Sequence, residues 1–213
     1  PYARLSNILQ YVTRSGWSND VEGDLGKAVE LAEKAVALDE QNPNLHWVLG
    51  RAVARIPKPG MLKQGIESMK RAIELDPDFA DAYAFLGQLY AGDGRPEDGF
   101  RSVATAMRMN PRYPFWYLFV RGSNHLVAED YEKAIVDYEG ALDRSPTAQF
   151  LRWLLAAAYV EVGRQEDAEW QVEELMSMGF TGNIRTITET QPLQHPPFLK
   201  RYRAALRKAG FPE

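Results

Sequence analysis

Small residues recur along this chain at a near-constant spacing, and that spacing constrains the fold more than any other feature. Gly50, Gly87, Gly122 and Ala156 stand 37, 35 and 34 residues apart. Ala28, Gly65, Gly99, Ala134 and Ala168 follow at 37, 34, 35 and 34. Ala35, Ala72, Ala106, Ala141 and Leu175 keep the same four spacings, and Pro77, Pro111 and Pro146 fall in step. A period near 34 predicts helix-turn-helix units stacked into a solenoid. One such unit cannot bury its apolar face alone, so neighbours must cover it. The pattern therefore points to a binding or scaffolding surface before it points to any chemistry.

The clearest unit spans residues 80–113. Its first helix carries Tyr83, Leu86, Gly87 and Tyr90, apolar positions three and four apart that share a face. Gly87 removes a side chain where the partner helix must come close. Gly94 suits a turn that needs positive φ. The second helix offers Gly99, Val103, Ala106 and Met109, and Asn110-Pro111 stops it. The unit from Pro43 repeats this with Leu49, Gly50, Val53, Ala72 and Leu75, around a longer turn at Ile56-Pro57-Lys58-Pro59-Gly60. The unit from Phe115 has Leu118, Gly122, His125, Tyr131, Ala134, Tyr138 and Ala141, but Arg121 stands where leucine is usual and leaves the local register open. The unit from Gln149 has Leu155, Ala156, Tyr159, Gly163, Ala168, Val172 and Leu175 and ends at Met178-Gly179-Phe180.

The first unit is irregular. A helix over about Tyr2 to Thr13 precedes a linker, Arg14 to Asp20, and a second helix with Gly26, Ala28, Leu31, Ala35 and Leu38. After Phe180 the period is lost. A short helix is expected over Asn183 to Gln191, chain breaks at Pro192, Pro196 and Pro197, and an amphipathic helix over Phe198 to Ala209 with Leu199, Tyr202, Ala205, Leu206 and Ala209 on one side. The predicted fold is all-α: a right-handed solenoid of five helix pairs over residues 1–180, closed by a capping segment over 181–213.

The periodic region, about Leu25 to Phe180, resembles tetratricopeptide repeats. A narrower resemblance rests on four stretches: Gly16-Trp17-Ser18-Asn19-Asp20, Leu31 through Asp39, Pro114-Phe115-Trp116-Tyr117, and Arg203 through Glu213. These look like the repeat region and C-terminal ending of bacterial class III adenylate or guanylate cyclases. Similar regions occur in winged-helix regulators. The resemblance implies a sensory or adaptor module of a larger bacterial signalling protein, with the cyclase domain and its metal-binding aspartates upstream of Pro1. A start at proline fits a cut piece or a processed product.

Composition narrows the function classes. A net charge of −4 and a pI near 5.5 argue against nucleic acid as the partner, because phosphate binding needs a basic field. No run of 18 apolar residues exists to span a membrane, and there is no secretory signal pattern. With no cysteine, disulfides and thiolate chemistry are excluded, which leaves cytoplasm and periplasm both open. His46, His125 and His195 do not cluster as zinc ligands do. Glu173-Glu174, and Glu30 with Glu33, read as solvated faces of second helices, and Gly92-Asp93-Gly94 lacks the lysine of a phosphate-binding loop. Lys200, Arg201, Arg203, Arg207 and Lys208 make the last helix basic, as the wet side of a cap would be. No catalytic, cofactor or metal residue is assigned, and the segment is not expected to be an enzyme.

The concave wall is the candidate site. In stacked pairs the first helices line it, and the register places Asn44, Trp47, Arg51 and Ala54; Asp81, Ala84, Gln88 and Ala91; Trp116, Phe119, Ser123 and Leu126; and Phe150, Trp153, Ala157 and Val160 on that side. Exposed aromatic rings there mark a partner site. Trp47, Trp116, Phe119, Phe150 and Trp153 are the expected anchors, with Arg51 and Gln88 setting polarity. Coverage of those rings by the C-terminal helix or by a second copy stays open. Some repeats of this kind hold a peptide's terminal carboxylate with lysines and asparagines. Here Trp47, Arg51 and Gln88 stand in the matching wall, so that clamp is incomplete. The expected partner is a protein or peptide in the groove. A homodimer that joins two upstream domains is the alternative.

Overall fold

The computed structural model describes residues 1–14, 17–189, 193 and 195–213. Among these residues the chain is helical throughout, with no strand. Five antiparallel pairs follow in order: α1 (Tyr2–Arg14) with α2 (Val21–Leu38), α3 (Pro43–Val53) with α4 (Met61–Leu75), α5 (Ala80–Gly92) with α6 (Pro96–Met109), α7 (Phe115–Val127) with α8 (Tyr131–Arg144), and α9 (Gln149–Glu161) with α10 (Gln165–Ser177). Two further helices follow, α11 (Ile184–Glu189) and α12 (Pro196–Ala209). Consecutive pairs stack, α2 on α3, α4 on α5, α6 on α7 and α8 on α9. This is the predicted solenoid.

Local chemistry starts and stops these helices. The Asp20 carboxylate accepts from the Gly23 N–H and caps α2, and the Asn42 side chain does the same for α3 at Asn44. Pro43 and Pro96 sit in first turns, where a missing N–H costs nothing. In the second and third pairs the helices touch at the recurring small residues. A Cβ on Gly87 would lie 3.0 Å from the Gly99 carbonyl oxygen, and one on Gly50 equally close to that of Gly65. The turns of the third and fifth pairs use Gly94 and Gly163 at φ 73° and 77°. The fourth pair places Glu129 at the matching point with φ 64°, the one non-glycine residue with positive φ among the described residues.

The structure explains the irregular fourth unit. The Arg121 guanidinium donates to both oxygens of Asp137, with Nε 2.9 Å from Oδ2, and Asp137 is almost fully buried. A paired charge thus fills the place of the usual leucine. Nearby Asn124 is wholly buried and donates to the carbonyls of Gly87 and Val120, tying α7 to α5.

Several expectations need correction. Leu38 and Met109 are the last residues of their helices and are exposed rather than part of the core. Pro196 and Pro197 begin α12 rather than break the chain. That early start fixes the phase of the helix. Phe198, Tyr202, Ala205, Leu206 and Ala209 are buried, while Leu199 is only half-buried. The short helix ends at Glu189, and the expected break at Pro192 lies outside the described residues.

The last helix also takes an unexpected course. His195, just before α12, lies against Gly94 in the α5–α6 turn. Arg201 pairs with Glu129 in the α7–α8 turn at 2.9 Å. The Gln165 amide, where α10 begins, donates to the Lys208 carbonyl. The helix therefore runs across the turn ends of three successive pairs instead of stacking as a further repeat. Leu126, Tyr131, Ala157 and Glu161 line a small cavity together with Phe198, Arg201, Tyr202 and Ala205 of this helix. The core from α7 to α12 is continuous and takes in Ala91 of α5, while smaller clusters hold the earlier pairs.

Candidate binding surface on the concave wall

The first helices carry the site, and their burial divides the sixteen predicted positions in two. Towards the turns the wall is not open. Ala91, Leu126 and Ala157 are buried in the cluster that holds Phe198, Tyr202, Ala205 and Leu206, so the groove there is filled by α12. Ala84 is buried against Tyr117 and Ala106. Ser123 faces its own partner helix, where its hydroxyl accepts from Tyr138 at 3.3 Å. These five positions were read as exposed, and the structure corrects that reading.

All seven anchor candidates keep partial exposure. They do not form one patch. Trp47 of α3 packs against Phe79 with ring centroids 5.8 Å apart, and the Arg51 guanidinium lies over the Trp47 ring at 4.4 Å. This Arg51–Trp47 stack is a cation–π contact. Gln88 of α5 is half-buried. Farther along, Phe119 of α7 meets Phe150 of α9 edge-on at 5.0 Å, and Phe115 joins Phe150 at 6.5 Å. Trp116 stands edge-on to the buried Tyr117 at 4.5 Å. Trp153 of α9 packs on Phe180, which in turn meets Phe211. The indole nitrogens of Trp47 and Trp153 are buried and have no hydrogen-bond partner among the described residues.

Sequence reasoning missed Phe79, Phe115 and Phe180, the rings that hold the anchors in place. Each stands at a helix boundary, where the 3.6-residue period no longer assigns a face. It also missed the polar support beneath Trp116. The Tyr117 hydroxyl donates to Asp81 at 2.6 Å, and burial followed by that bond pushes its pKa up. His125 packs against Phe100, with ring centroids 4.5 Å apart and the planes tilted at 50°. Burial is the larger influence on it and lowers its pKa, against the opposing pull of Asp137 and Asp130. Among the described residues no group of histidines and carboxylates could hold a metal, and no helix is long and apolar enough to cross a membrane.

Comparison with known proteins supports the repeat reading. Residues 119–176 match the family model for the tetratricopeptide repeat. The Cell division cycle protein 27 homolog of Caenorhabditis elegans is 35% identical over 85 residues, a match that covers 39% of this chain and only 10% of that protein. A thermophilic TPR protein of Thermus thermophilus superposes with a TM-score of 0.64 at 22% identity, covering 95% of this chain and 99% of that one. YrrB, a TPR protein with an unusual peptide-binding site, superposes with a TM-score of 0.53 at 16% identity, over 83% of this chain and 84% of its own. The chain is a helical solenoid similar in fold to solved tetratricopeptide repeat proteins, and its residues 119–176 match the tetratricopeptide repeat family model.

Proposed function

We propose that the chain is an interaction module that receives a protein or peptide segment on the open half of its concave wall. The observation that carries this reading is the seat of α12. The wall already accepts an amphipathic helix across the ends of α7 and α9, with Phe198 and Tyr202 as buried anchors. Its other half presents Trp116, Phe119 and Phe150 half-exposed. Half-exposed aromatic rings on a rigid concave surface are what a second apolar segment would seat against. Arg51 and Gln88 set the polar end. Tetratricopeptide-type solenoids commonly use their concave surface for binding, and YrrB is described as having a peptide-binding site.

The finer reading is a sensory or regulatory module of a larger bacterial signalling protein. It rests on the cyclase-like stretches around Trp17, Leu31 to Asp39, Phe115 and the C-terminal ending. A second reading, a dimerisation element for an upstream cyclase or DNA-binding domain, draws on the exposed face of α1 described below.

Peptides selected from a displayed random library against the intact protein test the groove. For a purified selected peptide, Trp116→Ala and Phe119→Ala should each weaken binding by about 2 kcal/mol, roughly thirtyfold, in fluorescence anisotropy. Val136→Ala, at an exposed site on α8, should leave it unchanged. Selected peptides indifferent to both groove changes would refute the assignment.

A further inference from the structure

Helix α1 is built inside out. Its buried residues are Ser6, Gln10 and Thr13, while Tyr2, Leu5, Ile8 and Tyr11 are 40–50% exposed. The polar side chains are satisfied from within: Ser6 donates to the Ala28 carbonyl, Gln10 to the Ser6 hydroxyl, and Thr13 to the carbonyls of Leu9 and Gln10. Trp17, 68% exposed, stands edge-on to Tyr11 at 5.6 Å and extends the apolar stripe.

The register says what belongs on that stripe. The Ser6–Ala28 contact is the counterpart of Gly50 on Gly65 and Gly87 on Gly99. Counting from it, Leu5 and Ile8 match Leu49 and Ala52 of α3, and Leu86 and Leu89 of α5. All four of those are buried, α3 lying against α2 and α5 against α4. The outer face of α1 is thus a helix-stacking face. Its rings and branched side chains expose on the order of 500 Å² of apolar side chain, most of the ~800 Å² that each partner gives to a standard interface.

We propose that this face is the contact between two copies of the chain, α1 packing antiparallel on α1 about a two-fold axis near Ile8. Charge favours that arrangement. Helix α1 contains no acidic residue through Thr13, and Arg4 stands two turns from Tyr11 on one edge of the stripe. Asp20 and Glu22 are exposed just beyond Trp17, Asp20 capping α2 and Glu22 in a solvent-exposed pair with Lys58 at 3.4 Å that Arg4 of a second copy would join. Antiparallel pairing brings the Arg4 end of each copy to the Asp20–Glu22 end of the other and opposes the two helix dipoles. A head-to-tail chain of copies is disfavoured, because the cluster that holds Val172 and Leu175 of α10 also takes in Ile184, Ile187, Leu193 and Phe211 of the same chain. A self-complementary contact closes at two. This inference does not depend on the groove reading.

The absence of cysteine supplies the test. In the 213-residue chain, Ile8→Cys should form a disulfide-linked dimer under mild oxidation, while Val136→Cys should stay monomeric on a denaturing gel. Sedimentation should show a concentration-dependent dimer. The Leu5→Glu/Ile8→Glu variant should dissociate it at least a hundredfold without loss of helical circular dichroism. Arg4→Glu should weaken it several-fold, with recovery when Glu22→Arg is added in the same chain. Trp116→Ala should leave the dimer intact, which separates this contact from the groove. A monomer at 100 μM, or a dimer unaffected by Leu5→Glu/Ile8→Glu, would overturn the proposal.

Discussion

Leu206→Ala is the sharpest test of how α12 is held. Leu206 has no exposed surface and sits in the core that joins α12 to α9. Truncating a buried leucine to alanine costs about 2–5 kcal/mol, the transfer term plus the cavity left behind. Here the neighbours are the rigid first helices of the array and Tyr202, so collapse into the space is limited and about 3 kcal/mol is expected. For a chain of this length that lowers the melting temperature by about 6–12 °C if unfolding is cooperative. Stacked repeats can open locally, so urea unfolding should be paired with hydrogen exchange on peptides from α12 and α9. The comparison residue is Leu199, only half-buried. Leu199→Ala should cost about 1 kcal/mol or less. A loss below about 0.5 kcal/mol at Leu206 with unchanged exchange in α12, or a larger loss at Leu199 than at Leu206, would refute the seating of this helix.

Arg121→Leu alone should destabilise by about 3–5 kcal/mol, because it strands the buried Asp137 carboxylate. Adding Asp137→Leu should recover most of that loss, and simple additivity in a urea double-mutant cycle would contradict the account. Glu129→Gly should stabilise by about 1 kcal/mol, since relief of positive φ outweighs the part-exposed ion pair with Arg201. A loss of similar size would show that the tether to α12 dominates. His125 adds a pH dependence whose sign follows from its lowered pKa. The unfolded chain takes up a proton as pH falls through the ordinary value of 6.5, while folded His125 resists it, so stability falls below that pH and the penalty levels off once the folded group protonates. Melting temperatures from pH 8 to pH 5 should show this fall, and His125→Phe should flatten it. An unchanged slope would place the titration elsewhere.

The repeat was legible because its cause is local and recurs. Gly50, Gly87 and their partners Gly65 and Gly99 are small because two backbones meet there, and that need recurs from one of these pairs to the next. The same logic placed the anchors on the first helices, and Trp47, Trp116, Phe119, Phe150 and Trp153 do keep partial exposure. Arg121 was opaque because its reason, Asp137, lies sixteen residues away on another helix. Helix α1 was opaque for a related reason. Its buried hydroxyls find backbone carbonyls, and the alternation of polar and apolar residues does not tell which side faces in.

What the sequence determined by itself is the unit: two helices, a glycine-sized contact between them, and a period that makes one pair stack on the next. What only the tertiary structure decided is where the non-repeating parts lie. Helix α12 has no register with the array, so its position depends on three distant turns, at Gly94, Glu129 and Gln165, that come into line only once the pairs have stacked. That alignment is what leaves Trp116 and Phe119 open while it closes the wall at Leu126 and Ala157.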